Sequence, residues 1–592
     1  MDIDAAYTMA TRTRDRLPSA PMSNDPVDVG EALETLVHQF SDPWSFLREL
    51  IQNALDAGSP EIDVRIDHQP PEQGSNDPLG LMTVEIIDAG DGMDRHIIDT
   101  RLTRLFSSAK DGDYTKIGRF GIGFVSVFAI QPDLVCVDTG RAGEYWRVLF
   151  RKDRSFQRIV LDQPTEGTTI RIYKRATPEQ ADDARARARS VLEYWCKHAR
   201  VEIRCDDALV SRPMQLDARC VIHHEQDGTT LMLGYVEQAA ALRGYYHGGL
   251  TLHEEHDLLL PHVAFKIDSR YLEHTLTRDN VIRDDNFAKA MNIVGRLAST
   301  ALVEALVTAL ELAASEGRED PEVAFLRKRL LGVLEGEAKP PSRVFEAKLV
   351  PALTAGGGRT AISLTQARKQ IKRCWTSAQA SPVTEMLIAR GDTVLLVGPN
   401  SALTQVLAHV GGRSPTPVAS LCTALPATSF ERGCWQPLHD AALALLAQQG
   451  VKLSSIELGR LAYPGSPVAN HVAITQAKLG ELTEVSEIGQ LSSGWFGSKR
   501  VVVLNADHPT IGHLIELAAT EPEFAAYLLL KLFYLRLNDA PQDEVSLPTR
   551  DNQLASAAAQ ARAQRRSSLP TVNQSQKASA SGREALARAE GN

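Results

Sequence analysis

The fold of this protein is decided by the stretch FLRELIQNALDA at residues 46–57. Asp42 can cap a helix that begins just before this stretch, and Gly58 suits the end of that helix. One face of the helix carries apolar side chains at helical spacing, which predicts a buried stripe. The other face brings Glu49 and Asn53 one turn apart, so that a carboxylate and an amide point at the same place. Most polar helix faces are only solvated, and by itself this one does not indicate a site. The residues of the apolar stripe are Leu47, Leu50, Ile51, Ala54 and Leu55.

Length and composition exclude several classes of protein. The chain has 592 residues, of which 43% are hydrophobic and 23% charged, and its formal net charge is −10. At roughly 100–200 residues per domain, about three or four soluble globular domains are expected. An acidic chain is not held to nucleic acid by bulk charge, so a nucleic-acid partner is disfavoured. The seven cysteines form no CxxC pair, which predicts reduced thiols and no zinc site. No signal peptide and no run of about 18 apolar residues is apparent, which favours a cytoplasmic protein with no membrane partner.

The fold class predicted from the order of elements is α/β (α+β). Between residues 26 and 205, helices alternate with strands such as those at 61–66 and 81–88, which favours helices packed on one face of a mixed sheet. Beyond residue 541 the chain has no apolar periodicity, which predicts disorder apart from a short helix near 553–566. The expected divisions are a flexible leader at 1–25, a first domain at 26–205, a middle domain at 206–340, a C-terminal α/β region at 341–540 and a disordered tail at 541–592.

A second informative segment, VEIIDAGDGMD at 84–94, ends a predicted strand at Asp88. Gly90 and Gly92 allow the backbone to turn tightly after it. A carboxylate only accepts hydrogen bonds, so Asp88 at a strand end suits an exocyclic amine such as that of adenine. By itself, however, the segment is better explained as an ordinary Asp-Gly turn.

A third segment, KIGRFGIGFVSVFAI at 116–130, places Gly118, Gly121 and Gly123 directly before an apolar helix. Exposed backbone N–H groups at such a helix start attract phosphate oxygens. A glycine-rich loop is weak evidence when it stands alone, and the chain lacks the GK[ST] ending of a P-loop. This segment therefore suggests an anion site only in combination with the other two.

Together and in this order, the three segments resemble the ATP-site motifs of the gyrase, heat-shock-protein-90, histidine-kinase and MutL (GHKL) superfamily. Gly167-Thr168-Thr169-Ile170 resembles a fourth motif of that superfamily, its GTxI segment. The resemblance covers about residues 26–205 and implies a Bergerat-type ATP-binding sandwich. Within the superfamily, FLRELIQNALDA and IGRFGIGFVSVF are similar to the bacterial chaperones of the heat-shock-protein-90 family.

This resemblance implies ATP and Mg²⁺ as cofactors and assigns roles within the pocket. Adenine is expected against Asp88, Mg²⁺ at the amide oxygen of Asn53, and added positive charge from Lys110 in the lid over the phosphates. Glu49 is implied to orient or deprotonate the attacking water. The residues expected to line the pocket or contact the nucleotide are Ala57, Gly92, Met93, Gly118, Gly121, Gly123, Phe124 and Thr168.

The segment YLEHTLTRDN at 271–280 resembles the part of the chaperones' middle domain in which a catalytic arginine follows Ser or Thr. The resemblance implies a second catalytic residue, Arg278, that reaches the γ-phosphate and stabilises negative charge in the transition state. A surface arginine paired with Asp279 or Asp284 is the alternative explanation. Because this arginine and the pocket are expected in different domains, hydrolysis would require the domains to dock.

The resemblance implies an ATP-dependent molecular chaperone of the heat-shock-90 type. Such a protein binds and hydrolyses ATP to drive conformational cycling on unfolded or client proteins, here as a homodimer through residues 341–540. Two departures leave an alternative open. The short segment 58–83 resembles the MutL arrangement more than that of the chaperones, and the lid sequence LFSSAK at 105–110 is as close to a MutL-type motif as to the chaperones' lid. The alternative is a MutL-like or defence-type ATPase clamp that acts on nucleic acid or on an effector partner.

Overall fold

The chain forms two compact units, Met1–Ala305 and Leu306–Asn592, in the computed structural model. The division falls inside the helix Ala301–Glu316, and the expected domain boundaries at 205/206 and 340/341 stay predictions. The chain passes from one unit to the other within a helical run, Asp285–Glu316. The structure describes residues 42–71, 79–103, 122–275, 280–398, 401–449, 455–488, 501–536 and 546–568.

That helical run, Asp285–Glu316, is long and apolar enough to cross a bilayer by length and composition. In the most apolar 18-residue segment of this run, 44% of the residues are buried within the protein. Val294, Leu306 and Leu310 are among the buried side chains. A core helix of a soluble protein passes the same test, so the run is weak evidence for a membrane span.

The described residues of unit Met1–Ala305 include helices and an eight-stranded sheet. Asp42 Oδ1 accepts the N–H of Trp44 at 3.0 Å and caps the turn Pro43–Ser45, which leads into the first helix. The helices of the unit are α1 (Phe46–Asp56), α2 (Arg95–Ile97), α3 (Ile122–Val125), α4 (Pro178–Trp195), α5 (Asp285–Ser299) and α6 (Ala301–Glu316), the last of which continues beyond the division. The strands of the first sheet are β1 (Glu61–Gln69), β2 (Gly80–Asp88), β3 (Leu134–Arg141), β4 (Glu144–Arg151), β5 (Phe156–Val160), β6 (Thr168–Ala176), β7 (Glu202–Cys205) and β8 (Ala208–Leu209).

This sheet is mixed, and helices cover one of its faces. Its strand order is β5-β4-β3-β6-β2-β1-β7-β8, with β1 antiparallel to β2 and parallel to β7. Alternation along β1 buries Ile62, Val64 and Ile66, whose side chains join those of α1 and α4 in a single hydrophobic core. The predicted fold class, helices packed on one face of a mixed sheet, is confirmed.

A second sheet follows in the same unit. Its strands are β9 (Arg219–Gln226), β10 (Thr229–Tyr235), β11 (Ala241–His247), β12 (Leu250–Asp257) and β13 (Val263–Ser269), in the order β12-β11-β13-β10-β9. Strand β13 is central, parallel to β11 and antiparallel to β10, and all of its residues are buried. Helix α5 comes after this sheet and is capped by Asp284, whose Oδ1 accepts the N–H of Phe287 at 2.9 Å.

Unit Leu306–Asn592 is also a mixture of helices and sheets. The described sheets have the strand orders β15-β14-β17-β16-β18, β19-β23 and β20-β21-β24-β22. The strands are β14 (Val350–Leu353), β15 (Arg359–Ile362), β16 (Cys374–Ser377), β17 (Thr393–Leu396), β18 (Thr416–Pro417), β19 (Leu421–Cys422), β20 (Leu425–Pro426), β21 (Ser455–Arg460), β22 (Ala473–Gln476), β23 (Thr483–Glu484) and β24 (Val501–Asn505). The helices are α7 (Pro321–Glu335), α8 (Arg343–Glu346), α9 (Leu364–Lys369), α10 (Pro382–Ala389), α11 (Ala402–Gly411), α12 (Ser429–Gln448), α13 (Val485–Ile488), α14 (Pro509–Ala518), α15 (Pro522–Arg536) and α16 (Ser546–Ser568).

Helix α16 lies within the segment 541–592, where a disordered tail was expected, and residues 541–545 and 569–592 lie outside the described residues. It is longer than the short helix predicted near 553–566, and it packs against the rest of its unit. Leu554 and Ala558 are 1% and 6% exposed and join the core that contains Phe533. Lys531 Nζ also donates to Asp551 Oδ2 at 2.9 Å. A few buried side chains one turn apart are enough to hold this helix, although its sequence has little overall apolar periodicity.

Candidate functional site

Helix α1 places Glu49 inside the protein and Asn53 at its surface. Phe46, Leu47 and Ile51 are fully buried and anchor the helix in the core. Glu49 is only 4% exposed, whereas Asn53, one turn later, is exposed. Glu49 therefore does not belong to a merely solvated face, which was the alternative interpretation of this helix.

The start of α3 lies directly against Glu49. A Cβ atom added to Gly123 would stand 3.0 Å from Glu49 Oε2, so the glycine allows the carboxylate to approach the backbone closely. The side chain of Phe124 is instead turned into the core, 5% exposed, with its ring centroid 5.1 Å from that of Phe150. Of these two predicted contact residues, Phe124 can therefore offer a nucleotide its backbone but not its ring.

Asp88, Thr168 and Thr139 lie side by side on three adjacent strands. Asp88 on β2 pairs with Thr168 on β6, and Thr168 pairs with Thr139 on β3. Asp88 Oδ1 accepts the N–H of Gly90 at 2.9 Å, which closes the turn after the strand. Burial raises the pKa of the Asp88 carboxyl above its usual range, and hydrogen bonds from the backbone of Gly90 and Thr168 oppose that rise. Asp88, Thr168 and Thr139 thus form a row of polar side chains, partly removed from water, at one end of the sheet.

Thr139 is a functional candidate that sequence reasoning missed. Its Oγ1 accepts the N–H of Met93 at 2.8 Å and lies 3.2 Å from the carbonyl oxygen of Gly167 and 3.1 Å from Thr168 Oγ1. Thr139 is fully buried. It thereby connects two predicted pocket residues, Met93 and Thr168. A threonine at the end of an apolar strand carries no motif, so only its position before Gly140 could have drawn attention to it.

Gly92 and Gly167 are required by the close approach of backbone segments. Gly92 has φ +67°, and a Cβ there would stand 2.0 Å from the carbonyl oxygen of Gly140. Gly167 has φ +65°, and a Cβ there would stand 2.0 Å from the carbonyl oxygen of Asp88. Both distances are far inside van der Waals contact, and both φ values lie in the left-handed region that disfavours side chains. The two glycines therefore hold the loops around Asp88 together.

The loop after Asp88 is also tied to the end of α1. Asp91 donates its N–H to the carbonyl oxygen of Ala57 at 2.9 Å. Ala89 donates its N–H to Ser59 Oγ at 2.9 Å, and Ser59 is 2% exposed. A Cβ on Gly90 would stand 2.9 Å from the Cβ of Ala57. The predicted pocket residue Ala57 is thus brought beside the turn of Asp88, through a serine that sequence reasoning did not select.

Arg48 anchors α1 from the side next to Glu49. It is 5% exposed, and its guanidinium carbon stands 4.3 Å from the ring centroid of Trp195 at the end of α4. Burial lowers the pKa of Arg48 to about 10. Since a buried cation is stabilised by an aromatic face, this contact helps to fix the rotation of α1 about its axis. That rotation determines where Glu49 points.

A charged cluster supports the sheet immediately beside Thr139. Asp138 Oδ1 accepts a hydrogen bond from Arg147 Nε at 2.6 Å, and its Oδ2 accepts one from Arg171 Nη1 at 2.9 Å. Arg171 Nε also donates to Glu85 Oε1 at 2.7 Å. Burial acts to raise the pKa of Asp138, but the two arginines outweigh it, so that the pKa lies below its usual value. The cluster joins strands β2, β6, β3 and β4 on the face of the sheet opposite to the helices, so it supports the strands that carry Asp88, Thr168 and Thr139 from behind.

Asn53 fits the role of an oxygen ligand for Mg²⁺. Within the residues that the structure describes, its side chain makes no hydrogen bond, whereas the neighbouring Gln52 donates to Asp56 at 3.0 Å. The described ranges also contain no group of three or more His, Cys, Asp or Glu side chains suited to a metal. The protein therefore offers few metal ligands at this site. These suit an ion such as Mg²⁺, which keeps water and phosphate oxygens as ligands, more than an ion coordinated by protein side chains alone.

Four of the predicted site residues lie outside the described residues: Lys110, Gly118, Gly121 and Arg278. The structure brings the other predicted residues into two neighbouring groups. Glu49 and Gly123 form one group, and Asp88, Ala57, Gly92, Met93 and Thr168 form the other around the ends of β2 and β6. Asn53 belongs to the helix that connects them, since α1 carries both Glu49 and, at its end, Ala57.

Comparison with known proteins relates this region to ATPases and chaperones. Residues 41–166 match the family described as histidine kinase-, DNA gyrase B-, and HSP90-like ATPase. The chain is 29% identical over 219 residues to chaperone protein HtpG of Nitrosospira multiformis, covering 33% of each chain. It is 26% identical over 257 residues to chaperone protein HtpG of Nitrobacter hamburgensis, covering 38% of this chain and 40% of that one. It is 35% identical over 136 residues to the HtpG of Anaplasma phagocytophilum, covering 20% and 21%.

The chain thus spans 40% or less of the length of these three curated relatives. The similarity is nevertheless specific, because the matched family covers α1, the turn after Asp88 and the start of α3, which form the site described above. Residues 41–166 are thus similar to the histidine kinase-, DNA gyrase B- and HSP90-like ATPase family, and part of the chain is similar in sequence to bacterial HtpG chaperones.

Proposed function

We propose that this protein is an ATP-dependent molecular chaperone of the HSP90 type, which couples ATP hydrolysis to conformational cycling on unfolded or client proteins. The observation that carries the proposal is the row Asp88, Thr168 and Thr139, closed by the loop that contains Gly92 and Met93. The similarity to HtpG chaperones supports the chaperone part of the proposal.

Nucleotide binding is proposed to begin with adenine against Asp88. The ionised carboxylate accepts a hydrogen bond from the exocyclic amine of adenine, which has hydrogens to donate. Thr168, at 8% exposure, and Met93, whose N–H is held by Thr139, bound the same space. The backbone of Gly90 and that of Thr168 also hydrogen-bond to this carboxylate, whose two oxygens offer about four acceptor sites, so it can accept the amine as well.

The phosphates are proposed to lie towards the start of α3. Backbone N–H groups at Gly118, Gly121, Gly123 and Phe124 would cradle them, and Lys110 would add positive charge. Asn53 would supply an amide oxygen to Mg²⁺, which prefers oxygen ligands and retains water. When bound, this ion neutralises part of the charge on the phosphates.

Hydrolysis is proposed to use Glu49 as the base or the orienting group for water. Its carboxylate is buried and lies against Gly123, so it faces the segment where the phosphates are expected. The water oxygen forms a bond to the γ-phosphorus, the bond from that phosphorus to the bridging oxygen of ADP breaks, and Glu49 accepts the proton. Arg278 is proposed to stabilise the charge that develops on the γ-phosphoryl oxygens.

The biological setting is proposed by analogy with the relatives. We infer a cytoplasmic protein that acts as a homodimer, with unfolded proteins as its clients. The net charge of −10 supports a protein partner more than a nucleic acid. Dimerisation through residues 341–540 remains part of the proposal, and light scattering of the full chain measures it directly.

One paired experiment tests this function. Aggregation of a denatured model protein is followed by light scattering with the full chain, with and without ATP, and phosphate release is measured with and without DNA. A chaperone of this type suppresses aggregation in a manner that depends on ATP, and DNA leaves its ATPase rate unchanged. ATPase activity that DNA stimulates, without any protection of the model protein, would overturn the proposal.

A further inference from the structure

A cavity of about 820 Å³ opens on the second sheet of unit Met1–Ala305. Its floor is formed by β11 and β13, where Ala241 and Ala264 present small side chains that are 2% and 1% exposed. Arg212 and Leu216 belong to the segment that forms one wall. None of the residues assigned above to ATP lines this cavity, so it is a separate feature of the unit.

Lys266 is a buried residue in the lining of this cavity. It lies on the central strand β13, where it pairs with Gly244 on β11 and Met232 on β10, and it is 8% exposed. Its Nζ stands 2.8 Å from His198 Nε2. The ammonium group of a lysine has three N–H donors, and this contact uses one of them. A buried ammonium with donors to spare is costly unless an acceptor meets it.

The nearest carboxylates are already engaged by other groups. Glu254 Oε2 accepts from Lys197 Nζ at 2.6 Å, and its other oxygen accepts from the hydroxyl of Tyr246. Asp268 Oδ2 accepts from Arg200 at 2.9 Å. Within the described part of the chain, no carboxylate forms an ion pair with Lys266. The charge of Lys266 is therefore not compensated by an ion pair.

His198 does not supply the missing negative charge. Its Nδ1 stands 3.4 Å from the carbonyl oxygen of Arg212, so Nδ1–H donates there and Nε2 accepts from Lys266. Burial, together with the charge of Lys266, lowers the pKa of His198 to about 4. The imidazole is consequently neutral at neutral pH. It orients the ammonium group and adds no charge of either sign.

The remaining wall of the cavity adds a second cation and some apolar surface. Arg212 is exposed at the rim, and its side chain makes no ion pair with any described residue. Leu216 is 8% exposed and packs with Ala241 and Ala264. Asp217, also exposed at the rim, is a carboxylate on the same wall. The cavity lining thus combines two cationic side chains with an apolar floor.

We propose that this cavity binds a small organic anion. Its carboxylate or phosphate group pairs with Lys266 and Arg212, and its compact apolar body covers Ala241 and Ala264. Ion pairing to a desolvated lysine and burial of apolar surface act together in such a site, and a ligand that lacks either part binds weakly. The geometry requires a headgroup that accepts several hydrogen bonds and a body small enough for the cavity.

The test uses calorimetric titration of the full chain at low salt with four probes that share one apolar body. Heptanoate and hexyl phosphate carry the two candidate headgroups on a hexyl chain, hexanol is neutral, and hexylammonium has the opposite charge. The variants are Lys266→Met, which keeps the shape of the buried stem, and Arg212→Gln at the exposed rim. Lys289→Met, at an exposed position on α5, is the matched control.

We expect one or both anions to bind the wild-type chain in preference to hexanol and hexylammonium, and the preferred anion identifies the headgroup. Lys266→Met should weaken that binding by about tenfold or more, because a hydrogen bond between charged groups is lost. Arg212→Gln should weaken it less, and Lys289→Met should leave it unchanged. Arg212→Gln keeps the test decisive if Lys266→Met fails to fold. Equal binding of hexanol and the anions, no saturable binding of either anion at millimolar concentration, or no loss of affinity in the variants that fold would overturn the proposal.

Discussion

Asp88 on β2 and Thr139 on β3 flank Thr168 on the intervening strand β6 of the eight-stranded sheet, because both residues pair with Thr168. The hydroxyl of Thr139 stands 3.1 Å from that of Thr168 and accepts the N–H of Met93 at 2.8 Å. The carboxylate expected to recognise adenine and the loop expected to cover it are therefore linked through a threonine pair. The geometry of the proposed pocket depends on strands that are distant in sequence.

Replacing Thr139 by Val should weaken nucleotide binding and lower stability. Val keeps the shape of the side chain but leaves the buried N–H of Met93 without its acceptor, which costs about 1–3 kcal/mol of unfolding free energy. Urea denaturation and calorimetric titration with ATP measure the two effects. Thr139→Ser, which keeps the hydroxyl, should retain both properties. If Thr139→Val binds ATP as well as Thr139→Ser does, the threonine pair has no part in the pocket.

Replacing Asp88 by Asn should remove most nucleotide binding. The amide oxygen of Asn can still accept the N–H of Gly90, so the turn is kept and only the charged acceptor is lost. A hydrogen bond to a charged group is worth about 1.5–3 kcal/mol, which corresponds to roughly ten- to a hundredfold weaker binding. Equilibrium titration with ATP provides the measurement. Asp91→Asn, at an exposed position in the same loop, should bind normally, and wild-type affinity in Asp88→Asn would show that adenine lies elsewhere.

Replacing Glu49 by Ala should abolish turnover while nucleotide still binds. Loss of a positioned base lowers the rate by roughly a hundredfold or more. Phosphate release and ATP binding are measured side by side, and thermal unfolding checks that removal of a buried carboxylate has not disrupted α1. Gln52→Ala, on the same helix and only partly buried, serves as the control. A variant that hydrolyses ATP at the wild-type rate would exclude Glu49 as the base.

Replacing Gly167 by Ala should disrupt the loop around Asp88 far more than the same change at Gly143. Both glycines have positive φ, +65° and +83°, so both variants carry the backbone strain of about 1 kcal/mol. Only at Gly167 would the new Cβ meet an atom, the carbonyl oxygen of Asp88 at 2.0 Å. We expect Gly167→Ala to lose ATP affinity and Gly143→Ala to keep it. Similar affinities in the two variants would mean that the close approach has no functional role.

Acid should remove the contribution of Asp138 to stability. Its pKa in the folded protein lies below 3.8 because Arg147 and Arg171 hold the ionised form against the effect of burial. A lowered carboxyl pKa stabilises the fold above the pKa of the unfolded chain, and that stabilisation is lost as the pH falls through the folded value. Asp138→Asn should therefore destabilise the protein at pH 7 by about 1.5–3 kcal/mol.

The difference between wild type and Asp138→Asn should shrink as the pH falls below 3.8, the ordinary value for an aspartate. Denaturation followed by tryptophan fluorescence at several pH values measures it. Asp182→Asn, at a position exposed to solvent on α4, should show little effect at any pH. A difference that stays constant across this pH range would mean that Asp138 stabilises the fold through packing and not through its charge.

Much of the proposed site could be predicted from local sequence. The period of apolar residues in FLRELIQNALDA predicts α1, and the glycines around Asp88 predict a sharp turn at the end of β2. These are short-range properties, because helix periodicity and left-handed backbone conformations depend on residues a few positions apart. Helix α16, within the expected tail, is longer than the helix predicted near 553–566, because it is held by contacts with α15 that its own sequence does not show.

By itself, the sequence determined helix α1, strands β1 and β2 and the order of the four motifs, because these follow from the spacing of residues along the chain. Only the tertiary structure decided that Thr139 joins Asp88 through Thr168, that Glu49 is buried against Gly123, and that Lys266 lies in a cavity with His198 as its hydrogen-bond partner. Each of these contacts joins residues tens of positions apart. Strand register and the burial that removes water from a charged group arise only when distant segments meet, and neither is encoded in any single segment.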